Sequence, residues 1–483
     1  MKRISLFASL LFLAGIQFMM FSCKKESDFI TDSSAKIQFS TSQVVFDTVF
    51  TTLGSTTKRL MVYNSNSQKI KISSIALASG TASPYRLNVD GIAGTQFSDI
   101  EIEAHDSMFI FVKVTVDPNN VNLPMLVSDS IIFLTNGNTQ DVDLLAWGQD
   151  AHFIIGTPHS PNLPNYQIVA HEGENITWHN DKPYVIYGYA VIDSTAQLNI
   201  DPGVRIYLHS NAGMWVYKGG CIKVNGALDQ PVTFQGDRLE QYYKDVPGQW
   251  DRIWLNEGTL DNEINYAVIK NAFIGIQAEI LQTGMGNKLQ LNNTIIQNSS
   301  GIDLLARNYK ITATNCLMGN SGSYNVALTM GGIYDFRQCT FGNYYSGGVR
   351  QTPALYMNNY YKDNYGTITP YNLTMAYFGN CIVYGNNQDE LGFDQVNGAQ
   401  MNFKFDYCGI KTSLNTNDVT KYISCIINAD PAFILPGENN YQLTINSPMR
   451  DNGSPAILVP TDLLGKPRNV PPDRGCYQFI PAK

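Results

Sequence analysis

Two acidic and two basic side chains, Asp303, Arg307, Asp335 and Arg337, are spaced so that they can fall on neighbouring turns of a repeating chain. An acid and a base held on one face can move protons on and off a sugar, which is the chemistry of glycan cleavage. The same four residues can equally form a ladder of surface ion pairs, each contributing little. A second set is aromatic. Seven tyrosines stand among Asn, Gly and Thr in YYSGGVRQTPALYMNNYYKDNYGTITPYNL, residues 344–373. Phenol rings stack on sugar faces while neighbouring amides bond hydroxyls, so Tyr356, Tyr360, Tyr361 and Tyr365 are the candidate ligand-binding residues. The alternative is that these rings pack a large loop onto its support. A third set, His171, Glu172, Glu174 and His179, has neither a helical His pair nor a Cys pair to fix a metal's geometry, and reads as solvated loop. No metal and no cofactor is expected. No histidine follows His209.

What must position these side chains is a repeat. The pattern of a small residue, a large apolar residue two places on and an Asn four places on recurs in NYAVIKN, NNTIIQN, TNCLMGN and RQCTFGN, and its first two elements continue into GNCIVYGN and DYCGIKT. Its small residues are Ala267, Thr294, Cys316, Cys339, Cys381 and Cys408, at steps of 27, 22, 23, 42 and 27. The partners two places on, Ile269, Ile296, Met318, Phe341, Val383 and Ile410, share a strand face with them. A period in the low twenties with one polar turn residue in register predicts a β-solenoid, whose coils stack at about 4.8 Å so that like residues form ladders. The cysteines are then buried rungs, not thiolate ligands converging on an ion. Asn271, Asn298, Asn320 and Asn343 are rungs at a corner, satisfying turn backbone and one another. The 42-residue step marks the tyrosine-rich stretch as an insertion. A second interruption is GDRLEQYYKDVPGQWDR, residues 236–252, with Trp250 expected over an end of the core.

The start of the chain bears on location. Lys2 and Arg3 precede an apolar run from Ile4 to Phe21, then Ser22 and Cys23. A positive segment followed by an apolar one is an export signal; about 18 apolar residues are also just long enough for a membrane anchor. MMFSC resembles a bacterial lipobox, which implies lipidation of Cys23, and the charged KKESD after it resembles the tract that accompanies surface export of some lipoproteins. The expected divisions are a signal peptide (1–22), a lipidated tether (23–35), an immunoglobulin-like β-sandwich (36–150), a linker and N-terminal cap (151–181), a parallel β-helix (182–429) and a C-terminal cap (430–483). The sandwich rests on short alternating strands such as RLMVYN, KIKISSIAL, FIFVKVTV and VDLLAWG between turn residues. Net charge −8 argues against nucleic acid, and seven cysteines beyond Cys23 at wide spacing make a poor disulfide framework.

Two further resemblances follow. FDTVFTTLGSTTKRLMVYNSNSQKIKI and IEAHDSMFIFVKVTVDP resemble immunoglobulin-like domains of the abnormal-spindle and major-sperm-protein type, which act as spacers or docking modules. From about residue 181 onward the chain resembles the right-handed parallel β-helix, pectate-lyase-like superfamily, carried by the opening KPYVIYGYAVIDSTAQLNIDPGVRIYLHSNAGMWVYKGGCIKVNGALDQPVTFQGD and by DPAF, SPMRDNG and DLLGKPRNVPPDRGCYQ near the end. The resemblance implies an all-β fold that hosts lyases, hydrolases and adhesins alike. Lyases of this fold set an Arg or Lys base near calcium-holding acids. Its hydrolases group three aspartates with a His and an Arg-x-Lys, and no such grouping occurs in these repeats. The expectation is therefore a lipid-anchored outer-membrane protein on the cell surface, held by lipid at Cys23, binding polysaccharide or a surface protein without catalysis. A polysaccharide lyase or hydrolase, and a structural stalk or adhesin, are the alternatives.

Overall fold

The computed structural model describes residues 29–51, 54–118, 125–280, 286 and 288–481; the signal segment, Cys23 and the tract to Asp28 lie outside them. The chain is all-β and forms two compact units, one ending at Gln149 and one beginning at Asp150.

The first unit is a β-sandwich. One five-stranded sheet runs in the order Gln38–Phe39, Lys58–Tyr63, Ser107–Val114, Tyr85–Val89, Ile92–Gly94; the other in the order Gln43–Phe50, Asn138–Gln149, Met125–Thr135, Ile70–Leu77, Gln96–Ile102. Period-two alternation sends Leu60, Val62, Ile110, Val112, Ile131 and Phe133 into a core between the sheets, all fully buried. The tether is shorter than expected: Ile30 donates its N–H to the Lys69 carbonyl at 2.9 Å and Ala35 is buried, so the chain is already packed on the sandwich by residue 30.

The second unit is a parallel β-helix with three walls. Each of the first nine coils contributes one strand to wall A, then to wall B, then to wall C; the last strands add only to walls A and C, giving eleven, nine and ten among the described residues. Residues 151–181, expected as a linker and cap, form the first coil instead. His152–Ile155, Tyr166–Ala170 and Asn175–Trp178 pair in parallel register with Tyr184–Tyr187, Tyr189–Ile192 and Gln197–Ile200. The apolar residues of that stretch already alternate as strands do; its prolines and histidines occupy the corners.

The repeated motif lies where wall C turns into wall A. The residue before each small one is left-handed: Tyr266, Asn293, Asn315, Gln338, Asn380 and Tyr407 have φ between 47 and 53°. That turn delivers Thr294, Cys316, Cys339, Cys381 and Cys408 to the interior, where none has exposed surface. The seven described cysteines are all free, and Cys425 adds a rung beyond Cys408 after a left-handed Ser424. Trp250 is inside as well, not over an end: its Nε1 donates to the Lys270 carbonyl at 2.8 Å.

The C-terminal segment 430–483 is expected to close the end of the helix; its described residues, 430–481, fold back along the outside of wall A instead. Phe433, Tyr441, Leu443, Met449, Leu463, Cys476 and Tyr477 cover the outward Leu317, Ile382 and Tyr384. Amides at the two edges of the wall hold this segment. Asn320 Nδ2 donates to the Pro436 carbonyl, Asn315 Nδ2 to that of Thr461, Gln338 Nε2 to that of Asp473 and Asn380 Nδ2 to that of Ser454, over 2.7–3.1 Å. The expected asparagine rungs therefore bind neighbouring segments more than one another. Asn271 Nδ2 donates to the Lys244 carbonyl of the 236–252 insertion, while Asn343 Nδ2 donates to Ser321 Oγ and Asn320 Oδ1 accepts the Tyr344 N–H within the corners.

Candidate functional site: the outer face of wall B

Inward positions of wall B are Ile253 and Leu255, Ile276 and Ala278, Leu304 and Ala306, Val326 and Leu328, all committed to the core. Alternation then sends the residues between them outward, in register from coil to coil: Ile168, Val191, Trp215, Trp254, Gln277, Leu305, Ala327, Tyr356 and Gly392. The Trp215 and Trp254 rings stack with centroids 4.9 Å apart and planes 10° from parallel. Tyr217 meets Trp215 edge-on at 5.4 Å. Further along, Tyr324 lies 5.3 Å from Tyr356. Beside this strip Tyr217 and Phe273 keep 41% and 48% of their surface exposed, and within it Trp254 and Tyr356 are partly exposed while Trp215, Gln277, Leu305 and Ala327 are buried.

Hydrogen-bonding groups are fixed between the rings. Tyr189 donates its phenol to Asp251, whose other oxygen takes Arg252 Nε and Nη2 at 3.0 and 2.9 Å. Arg252 also reaches Gln277 Oε1, and its guanidinium lies 5.7 Å from the Phe273 ring. Gln277 Nε2 donates to Glu279 at 3.0 Å; Glu279 takes Trp254 Nε1 at 2.6 Å and Arg307 Nη1 at 3.2 Å. Trp215 Nε1 donates to Asn256 Oδ1 at 2.7 Å. Burial, then the bond to Asp251, pushes the Tyr189 phenol well above its ordinary range, so it stays a neutral donor at physiological pH. Each carboxylate here is already held by an Arg, Tyr or Trp. The arrangement orients donors and acceptors along a stacking surface.

The four residues singled out for acid–base chemistry do not come together. Arg307 belongs to the wall B network through Glu279. Asp303, on the same strand, is turned into the corner between walls A and B, fully buried against Asn325 Nδ2 at 2.8 Å, and burial raises its carboxyl well above the usual range. Asp335 and Arg337 are on wall C and pair with each other at 2.9 Å. Of the tyrosines, Tyr356 is part of the wall B strip. Tyr360 and Tyr361 begin a hairpin, Tyr360–Lys362 with Ile368–Pro370. Tyr360 donates to Asp394 Oδ2 at 2.6 Å, and that bond, with lesser help from burial, pushes its phenol up to about 12. Tyr361 is exposed and Tyr365, at the hairpin tip, is 95% exposed. The 42-residue step is thus two insertions around one regular strand, Leu355–Asn358. The first carries Arg350 into a buried ion pair with Glu390. His171, Glu172 and Glu174 sit exposed in the first coil's turn, and His179 pairs with Asp201 at 2.7 Å.

Sequence reasoning missed Tyr189, Trp215, Asp251, Arg252, Trp254, Gln277 and Glu279. The available signal was MWVY beside RIWL, each Trp flanked by inward apolar residues; the 236–252 insertion between them hides their shared register.

No family model matches this chain, and no curated protein matches it. Among solved structures, it is similar to the ASH/PapD-like domain 7 of human CEP192 at 11% identity, over 27% of this chain and 96% of that one, with a TM-score of 0.17. A protein of unknown function from Porphyromonas gingivalis W83 matches at 11% over 30% of this chain and 60% of that one, TM-score 0.18. The periplasmic chaperone SfaE matches at 13% over 24% and 58%, TM-score 0.17. The chain thus spans little more than half of the last two, and likenesses of this size carry no argument about function.

Proposed function

We propose that this is an exported lipoprotein of the pectate-lyase-like β-helix type, tethered to outer-membrane lipid through Cys23 at the cell surface, that binds extracellular polysaccharide along the outer face of wall B without cleaving it. The supporting observation is the in-register strip of rings, with Trp254 and Tyr356 partly exposed and Trp254 stacked on the buried Trp215, and with side-chain donors and acceptors locked between them. An extended glycan offers the same alternation of ring faces and hydroxyls. Stacking contributes about 0.5–1.5 kcal/mol per ring pair, so several rings along one chain give specificity by repetition. The lyase alternative loses its support because Asp303, Asp335 and Arg337 point away from Arg307 into other environments.

The test is a glycan array probed with the chain Lys24–Lys483, alongside an assay for unsaturated uronate release. Binding that disappears in Trp254→Ala with no release of product is the expected result. Turnover of a bound glycan, or binding indifferent to Trp254, would overturn the reading. The anchor is tested separately, by labelling cells with a palmitate analogue: label should be lost in Cys23→Ser.

A further inference from the structure

The sandwich has a face that its own core does not use. On the sheet Gln38–Phe39, Lys58–Tyr63, Ser107–Val114, Tyr85–Val89, Ile92–Gly94, the outward residues form rows across the strands. Met61 is paired with Phe109; Arg59 with Phe111, then Asn88 and Ala93; and Lys113 with Arg86. Phe109 and Phe111 are 47% and 37% exposed with rings 4.9 Å apart. Leu87, Ala93 and Phe111 line a shallow apolar depression flanked by Arg86 and Lys113. These rows hold three cations and no acid, in a chain of net charge −8. Among the described residues neither Arg59 nor Lys113 makes an ion pair.

The position of this face relative to the start of the chain selects its partner. Ile30 is bonded to Lys69, and Asn66 Nδ2 reaches the Lys36 carbonyl, so the described chain begins at the end of the sandwich where the 64–69 turn lies. The strand Ser107–Val114 starts at that same end, Asn64 N–H bonding the Asp106 carbonyl at 2.9 Å, which puts Phe109 nearest to it. The six residues Cys23 to Asp28 span about 20 Å at full extension. A lipid at Cys23 would therefore hold this end of the sandwich close to a bilayer.

We propose that this face, Arg59, Met61, Arg86, Phe109, Phe111 and Lys113, docks on an anionic membrane surface, the rings entering the headgroup layer and the cations meeting lipid phosphates. Basic residues near an anionic surface contribute additively and an aromatic ring is favoured at the interface, so the two kinds of side chain act together. Only the proximity argument rests on the anchor reading; the binding itself does not, because it is tested without lipidation.

The experiment is co-sedimentation of Lys24–Lys483 with phosphatidylglycerol and with phosphatidylcholine vesicles. Binding is expected to the anionic vesicles, weakened roughly tenfold by Lys113→Glu and again by raised salt. Phe109→Ser with Phe111→Ser should abolish most of it while leaving the melting transition in place, since both rings are already exposed. Lys24→Gln with Lys25→Gln should leave binding largely intact. Equal binding to both vesicle types, no binding to either, or a loss that follows Lys24 and Lys25 instead of the face would overturn the proposal. So would a protein ligand that protects Phe111 and Lys113 from chemical modification where vesicles do not. Failure of the Cys23 labelling test alone leaves this result unaffected.

Discussion

Walls A and B are built by the same inward alternation and end with opposite outer faces. On wall A the outward Leu317, Ile382 and Tyr384 are buried under residues of the 430–481 segment. On wall B the outward positions hold tryptophan, tyrosine and bonded charged groups, with ring faces left open at Tyr217 and Phe273. A solenoid's interior is fixed by stacking, so the outer residues are those whose identity is unconstrained by the coil. The apolar outer row is covered by the chain itself; the partly exposed Trp254 and Tyr356 are what the proposed glycan would stack on.

The comparison is broken most severely by removing the cover. Tyr441 packs on bare backbone where Gly319 and Gly342 align; a Cβ at Gly319 would stand 2.9 Å from its ring. Its hydroxyl lies 2.7 Å from both Asn320 Oδ1 and the Gly342 carbonyl, which share its single proton. Tyr441→Ala should cost about 3–5 kcal/mol, measured by urea denaturation of the second unit's transition; a loss below about 1 kcal/mol would mean that the cover is peripheral. Next in size is Cys316→Ser, expected to cost about 1–3 kcal/mol by placing a hydroxyl among buried thiols. Burial, reinforced by the adjacent Cys339, raises the Cys316 thiol well above its usual range, so native protein should react with thiol reagents only on unfolding. Rapid labelling of the folded protein would contradict the ladder.

Smaller and pH-dependent is the corner that joins the two walls. Asp303 is held protonated by burial well above the carboxylate value of 3.8. Below that pH both folded and unfolded chains carry the proton. As pH rises through it, the unfolded chain ionises while the folded one does not, so this group makes stability fall with rising pH up to its folded pKa. Asp303→Asn should therefore gain stability over the parent between pH 5 and 8, with no difference at pH 3, in paired melting curves. The smallest stability effect belongs to wall B and its hairpin. Changing Tyr356, Tyr360, Tyr361 and Tyr365 together to Ala should weaken glycan binding by several kcal/mol at most and move the melting transition little; a collapsed transition would show that those rings pack the insertion.

Much of the fold was legible because ladders repeat locally: the small residue and the apolar residue two places on report one strand face wherever coils are regular. The corners were less legible. Nothing within a single coil says that Asn320 will meet Pro436 or that Gln338 will meet Asp473, since those partners lie more than 100 residues away. The site was hidden for a related reason. Trp215 and Trp254 are neighbours in space but sit 39 residues apart around an insertion, and an irregular step carries no periodic signal. Arg307 was found from its charge alone, while its partner Glu279 lies one coil earlier in a register that spacing did not reveal.

The folded-back C-terminal segment also sets an order of events. Residues 430–481 follow in the chain the wall they cover, which is complete by Ile427. Until they arrive, Leu317 and Ile382 form an open apolar stripe and the amides of Asn315, Gln338 and Asn380 lack their final acceptors. Docking of the segment thus needs the coils it covers to be stacked already. It succeeds only if the coils behind it have stacked in register, because an offset of one coil would carry the Gly319–Gly342 groove away from Tyr441. A chain lacking Tyr441 and the residues after it would leave that apolar stripe uncovered, and exposed apolar surface of this kind promotes aggregation.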